Sequence, residues 1–103
     1  MNAGWQTTSC RTRQGRPVLR VRTPWSSERE LSPPDMAAAR ATVAGLAALE
    51  ARTPDWVAGF EAPPPGQPIA RVWAQVPGEF RVEAPDVDAL SAEITAARAA
   101  HNL

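Results

Sequence analysis

The 103-residue sequence contains no lysine, no tyrosine, one cysteine and one histidine. A single cysteine, Cys10, cannot form a disulfide within the chain, so the fold does not depend on an oxidising compartment. One cysteine and one histidine also provide no ligand pair of the C-x-x-C or H-x-x-x-H kind. The composition therefore excludes a disulfide scaffold, and we expect neither a metal nor another cofactor.

Large apolar side chains are scarce as well. Hydrophobic residues make up 44% of the chain, but 20 of them are alanines and only 24 are larger core-forming residues. No apolar run approaches the roughly 20 residues that a transmembrane helix needs, and the first ten residues lack the apolar segment of a secretory signal. We therefore expect one small cytoplasmic domain with a thin core and no membrane contact. The exclusive use of arginine and the many alanines and prolines are typical of GC-rich bacterial genomes.

The sequence offers little to a catalytic mechanism. Its six glycines are scattered, and none forms a glycine-rich phosphate loop between a strand and a helix. The only histidine, His101, lies near the C-terminal end of the sequence, whereas a catalytic side chain has to be held within about half an ångström. These observations favour a non-catalytic protein over an enzyme, and no residue is assigned a catalytic role.

The net charge of zero is unevenly distributed. Residues 1–22 contain five arginines and no acid, whereas residues 23–103 contain six arginines and 11 acids. A basic segment joined to an acidic body is typical of contacts with nucleic acid or with an acidic partner. Candidate nucleic-acid contacts are Arg11, Arg13, Arg16, Arg20 and Arg22. The alternative is a solvated arm without a binding role; residues 1–15 lack hydrophobic periodicity and are predicted to be disordered.

Hydrophobic periodicity predicts a single α+β domain over residues 16–103. Residues 16–23 alternate apolar and basic side chains and are predicted as an edge strand, because a proline stands at each end. A helix is predicted over residues 33–52, since Ser32 is a favourable N-cap and no proline interrupts the segment. Its predicted core-facing stripe comprises Met36, Ala39, Val43, Leu46, Ala47 and Leu49.

The second half of the chain predicts two further strands and a second helix. Residues 69–76 and 79–84 are predicted strands on either side of a Pro-Gly turn, and a helix capped by Asp86 continues to about residue 100. Residues 53–68 are predicted to be an irregular connection in which a short turn buries two aromatic side chains. The resulting order, β-α-β-β-α, predicts a two-layer domain with one three-stranded sheet and both helices on one face. No internal repeat is visible.

The back of the first predicted helix carries no charge. Opposite the core-facing stripe lies a small-residue face, which comprises Ala37, Ala41, Ala44, Gly45 and Ala48. A surface helix ordinarily carries polar residues at such positions. This face therefore indicates either an interface with a partner or a second copy of the chain, or alanines that codon bias leaves on a solvated face.

Two tryptophans complete the candidate interface. Trp25 and Trp56 lie at the edges of predicted elements, where tryptophan either supplies buried area to a thin core or marks a binding surface; Trp73, within a predicted strand, is assigned to the core. The sequence thus predicts a small non-catalytic protein–protein interaction module, such as an adaptor, a regulator or an immunity-type accessory protein. The alternative is a nucleic-acid-binding accessory protein that uses the basic arm.

Overall fold

The computed structural model describes residues 4–101 and contains two small antiparallel sheets. Strands β1 (Gln6–Arg11), β2 (Pro17–Thr23) and β3 (Ser26–Leu31) form the first sheet and precede helix α1 (Met36–Arg52). Strands β4 (Val57–Phe60), β5 (Val72–Val76) and β6 (Phe80–Ala84) form the second sheet and precede helix α2 (Val87–His101). The predicted α+β class is confirmed. The predicted single sheet and its β-α-β-β-α order are wrong, because three strands and a helix occur twice.

The basic N-terminal segment forms a strand instead of the predicted disordered arm. β1 pairs with β2 along its whole length, so that Arg11 lies opposite Pro17. A tight turn closes this hairpin: the Thr12 backbone N–H donates to the Arg16 carbonyl at 2.9 Å, and Gly15 adopts a positive φ of 83°. The domain boundary predicted at residue 16 therefore cuts through a hairpin. Residues 1–3 of the predicted arm lie outside the described residues.

β2 is the central strand of the first sheet and not an edge strand. The bond between Thr12 and Arg16 fixes which residue pairs of the β1–β2 ladder exchange hydrogen bonds, because such pairs alternate along an antiparallel ladder. Pro17 falls at a position whose nitrogen points away from β1. β3 ends at Leu31, opposite Leu19, before it would reach Pro17. The proline is tolerated because its missing N–H removes no ladder bond.

The core lies between the helices and one face of each sheet. α1 packs on β2, β4 and α2, while α2 packs on β5 and β6. The core-facing stripe of α1 is largely as predicted: Ala39, Val43, Leu46 and Leu49 are buried, and Met36 and Ala47 are partly buried against them. In α2, Leu90 and Ile94 are buried. Within the described residues, no helix is both long and apolar enough to cross a membrane.

Both helices begin at a side-chain cap. The Asp86 carboxylate accepts a hydrogen bond from the Ala89 backbone N–H at 2.8 Å, as the sequence predicts for α2. The α1 start differs from the prediction, because its N-cap is Asp35, whose carboxylate accepts from the Ala38 backbone N–H at 3.0 Å. The two prolines between Ser32 and Asp35 precede the helix instead of opening it.

The second sheet places Trp73 on the face opposite its buried side chains. Val72 and Ala74 are buried, and successive side chains of a strand point to opposite faces. Trp73 lies over Gly59, where an added Cβ would be 2.4 Å from Cζ2 of the indole. The guanidinium of Arg81 stacks 4.7 Å from the ring centroid. The prediction of Trp73 as a core residue is therefore wrong, since the ring is half-buried on the outer face of the sheet.

Candidate functional site

Two tryptophans of the N-terminal half share one carboxylate of α1. Glu50 accepts a hydrogen bond from the Trp5 indole Nε1 at 3.2 Å and another from the Trp25 indole Nε1 at 3.1 Å. The same carboxylate accepts from the Ala58 backbone N–H, at the start of the second sheet, at 2.9 Å. Trp5 is 6% exposed and belongs to the core. This carboxylate therefore fixes the position of β1 relative to α1.

Two hollows lie between β1 and the neighbouring flank of α1. One hollow of about 450 Å³ lies between residues 5–8 and a helical wall formed by Arg40, Val43, Ala44 and Ala47. A second hollow of about 280 Å³ lies between residues 9–11, Pro17 and Met36. The start of β1 thus lies beside the middle of α1, and its end lies beside the first turn of the helix. We call these two successive hollows the β1–α1 groove.

The outer edge of β1, the strand that lines this groove, carries backbone groups that β2 does not use. Thr12 and Arg16 form a hydrogen-bonded pair, and such pairs occur at every second residue of an antiparallel ladder. Residues 6, 8 and 10 of β1 therefore exchange hydrogen bonds with residues 22, 20 and 18 of β2. The N–H and C=O groups of Thr7, Ser9 and Arg11 therefore point away from β2. β1 is the outermost strand of its sheet in the described part of the chain. These three residues can accept a further strand.

The walls of the groove carry positive charge. Arg40, on the helical wall, is exposed and forms no ion pair with any residue that the structure describes. Arg11, on the strand wall, donates one guanidinium hydrogen bond to the Gly15 carbonyl at 2.8 Å and likewise has no carboxylate partner in residues 4–101. The Glu50 carboxylate, which holds the lining residue Trp5, already accepts three N–H groups. An anionic ligand would therefore meet arginine on both walls.

The small-residue face of α1 divides between two surroundings. Ala37, Ala41, Ala44 and Ala48 are exposed, and Ala44 lines the β1–α1 groove. Gly45 instead faces α2, because a Cβ built there would lie 3.2 Å from Cγ1 of Val87. Gly45 thus serves the close packing of the two helices within the chain, and the alanines form the exposed remainder of the face.

The two candidate tryptophans also differ in their surroundings. Trp56 is 3% exposed, and its ring meets Phe80 edge-on with 5.4 Å between centroids. Trp56 is therefore a core residue, which removes it from the candidate interface. Trp25, in the turn between β2 and β3, is 51% exposed and held by its bond to Glu50.

The structure does not bring the five arginines of the basic segment onto one surface. Arg11 lies at the groove, and Arg13 and Arg16 are exposed at the hairpin turn. Arg20 and Arg22 alternate with buried residues of β2 and so lie on the opposite face of the sheet. Arg20 pairs with Glu30 at 3.3 Å; the electrostatic interaction with Cys10, followed by the hydrogen bond to Glu30, raises the pKa of this guanidinium.

Among the residues whose side chains the structure describes, no group of three or more histidine, cysteine or acidic side chains is placed to hold a metal ion. A comparison with known proteins finds no matching family, no matching curated protein and no matching solved structure.

Thr7 and Ser9, whose backbone groups point away from β2, are not among the site residues predicted from the sequence. The signals that favour their strand are the two adjacent β-branched threonines of β1 and the Gln14-Gly15 turn that follows it.

Proposed function

We propose that this protein is a non-catalytic interaction module that captures an extended segment of a protein partner along β1. One observation carries the proposal: β1, whose outer edge has no partner strand within residues 4–101, lines a groove whose other wall is α1. In such strand addition, the main chain of the partner supplies hydrogen bonds to the sheet edge, and alternate side chains enter the adjacent groove. The backbone groups of Thr7, Ser9 and Arg11 are the acceptors and donors for that segment.

The dimensions of the two walls agree with a short strand. The six residues of β1 extend about 20 Å at the usual rise of a strand. The helical wall from Met36 to Ala47 extends about 16 Å at the usual rise of an α-helix. An added strand of five or six residues therefore matches both walls. Because the side chain of Ala44 is short, the main chain of the added strand can come close to α1.

The two edges of the first sheet are protected to different degrees. Proteins ordinarily protect an unused sheet edge with charged side chains, proline, bulges or a covering element. β3 follows this rule, because it carries three consecutive charged residues, Glu28 to Glu30, and its register with β2 shifts between Val21 and Thr23. β1 carries no charge from Gln6 to Cys10 and contains no proline. Its accessible edge is consistent with a strand that is kept available for a partner.

The proposal is tested by backbone amide exchange in the isotope-labelled protein, with an eight-residue peptide of alternating valine and glutamine as the probe. We expect the peptide to slow exchange at Thr7, Ser9 and Arg11, whose N–H groups point outward, and to leave Thr8 and Cys10 unchanged because these already bond to β2. This alternating pattern distinguishes strand addition from non-specific contact. Uniform protection, or protection confined to another surface, would contradict the proposal.

A matched pair of variants sharpens this test. Ser9→Pro removes one outward N–H without removing a β1–β2 ladder bond, whereas Ser9→Ala removes the hydroxyl and keeps that N–H. We expect Ser9→Pro to lose peptide binding and Ser9→Ala to retain it, with both variants showing the circular dichroism spectrum of the native protein. Equal peptide affinity in the two folded variants would show that the edge is not used. A second copy of the chain is the competing occupant, and a dimer that Ser9→Pro dissociates would identify it.

A further inference from the structure

We infer that the segment captured in the β1–α1 groove is acidic; this inference rests on the proposed function and names the chemistry of the partner. Arg11 lies on the strand wall of the groove, and residues 4–22 contain no acid. Arg40 adds a further positive charge on the helical wall. A ligand that spans both hollows therefore meets a cationic side chain in each.

The two arginines at the groove have donors to offer. A guanidinium carries five N–H groups, and Arg11 uses one of them on the Gly15 carbonyl. Arg40 has no hydrogen-bond or ion-pair partner among the described residues. A carboxylate is the side chain that matches the planar fork of an arginine. Glutamate or aspartate in the partner segment would thus satisfy charges that the protein itself leaves unpaired.

Two acids of α1, at its N-cap and in its last turn, already accept hydrogen bonds. The Glu50 carboxylate accepts from two indoles and from the Ala58 backbone N–H. Asp35, before the first turn of α1, accepts from the Ala38 backbone N–H. Neither forms an ion pair with Arg11 or Arg40 within residues 4–101. The positive charge of the groove is therefore left for a ligand.

The same charges disfavour the pairing of two β1 strands from two copies of the chain. β1 and the turn after it contain Arg11, Arg13 and Arg16 and no acid. Neither hairpin would therefore offer a carboxylate to the arginines of the other, and these charges would remain unpaired. An acidic segment of a different protein supplies the carboxylates. We therefore commit to an acidic protein partner as the occupant.

Three eight-residue peptides test this inference by nuclear magnetic resonance titration of the labelled protein. Each alternates valine with one other residue: glutamate, glutamine or lysine. We expect the glutamate peptide to bind roughly fivefold more tightly than the glutamine peptide, which is the size expected for two exposed charge contacts. The lysine peptide should bind most weakly. Raising the salt concentration from 50 to 500 mM should remove most of the difference between glutamate and glutamine peptides, because exposed charges are screened.

Arginine variants locate the effect. Arg40→Gln and Arg11→Gln should each weaken the glutamate peptide several times more than the glutamine peptide, because only the glutamate peptide offers carboxylates to these guanidinium groups. The matched control is Arg98→Gln on α2, which removes an exposed arginine outside the groove and should change neither affinity. Thermal unfolding of each variant checks that the fold is retained. Equal weakening by Arg98→Gln would overturn the assignment of the charge effect to the groove.

The outcomes separate the inference from the function on which it rests. If the glutamate and glutamine peptides bind with equal affinity and both protect Thr7, Ser9 and Arg11 from exchange, the inference of an acidic partner is wrong and strand addition remains. If no peptide protects these amides, strand addition itself fails.

A 12-nucleotide oligothymidylate is the final probe. If it binds more tightly than the glutamate peptide and depends on Arg13, Arg16 and Arg22, the nucleic-acid alternative replaces the acidic peptide.

Discussion

The two halves of the molecule have the same order of elements but distribute their apolar residues differently. Each half contains three antiparallel strands followed by a helix. In the second sheet every strand contributes buried side chains. In the first sheet nearly all buried strand residues belong to β2, while β1 is exposed at five of its six positions and β3 is buried only at Leu31.

This difference shows where each sheet obtains its stability. The second sheet is held by apolar side chains along its strands, which is the usual arrangement for a sheet with one buried face. The first sheet is held by β2 and by anchors outside its strands, namely Trp5 before β1 and Trp25 after β2, both bonded to Glu50. An outer strand that contributes little to the core is also one whose edge is free to pair with a partner.

The largest expected effect comes from the anchor of the first sheet. Trp5→Ala removes a core side chain that also donates to Glu50, and we expect it to lower the free energy of unfolding by about 3–5 kcal/mol. Urea unfolding followed by circular dichroism measures this change. Arg13→Ala, in the exposed hairpin turn, is the control and should stay within about 0.5 kcal/mol of the native protein. If the two variants were equally stable, β1 would not be anchored as described.

An intermediate effect is expected from the second sheet, where a glycine makes room for an aromatic ring. Gly59→Ala would place a Cβ 2.4 Å from the Trp73 indole, and overpacking of this kind lowers the free energy of unfolding by about 1–3 kcal/mol. The same substitution in a Trp73→Ala background should have a smaller effect, because the clashing ring is gone. A double-mutant cycle by urea unfolding measures the difference. Equal effects in both backgrounds would contradict the contact.

The same contrast explains which parts of the fold the sequence predicts. β2, β5, β6 and both helices have alternating or helical apolar periodicity and are recovered with shifts of a few residues. β1 and β3 carry polar side chains on both faces, so a periodicity argument has no signal to detect. Of the predicted small-residue face, only Ala44 lies on the helical wall of the groove among the described residues. The other wall is a backbone edge, which depends on the pairing of β1 with β2 and not on side-chain type.

The smallest expected effect tests how the two halves are joined. Glu50→Gln keeps the size of the side chain but replaces one of the two carboxylate oxygens by an amide N–H₂ group. This group cannot accept a hydrogen bond and would face at least one of the three N–H donors, which belong to Trp5, Trp25 and Ala58. Because the site is only half-buried, water can satisfy part of what is lost. We therefore expect the free energy of unfolding to fall by about 1–2 kcal/mol, at the lower end for bonds to a charged group. Glu61→Gln, at an exposed position after β4, is the matched control. If urea unfolding gave the two glutamine variants equal stability, the carboxylate of Glu50 would not be what joins the first sheet to α1 and β4.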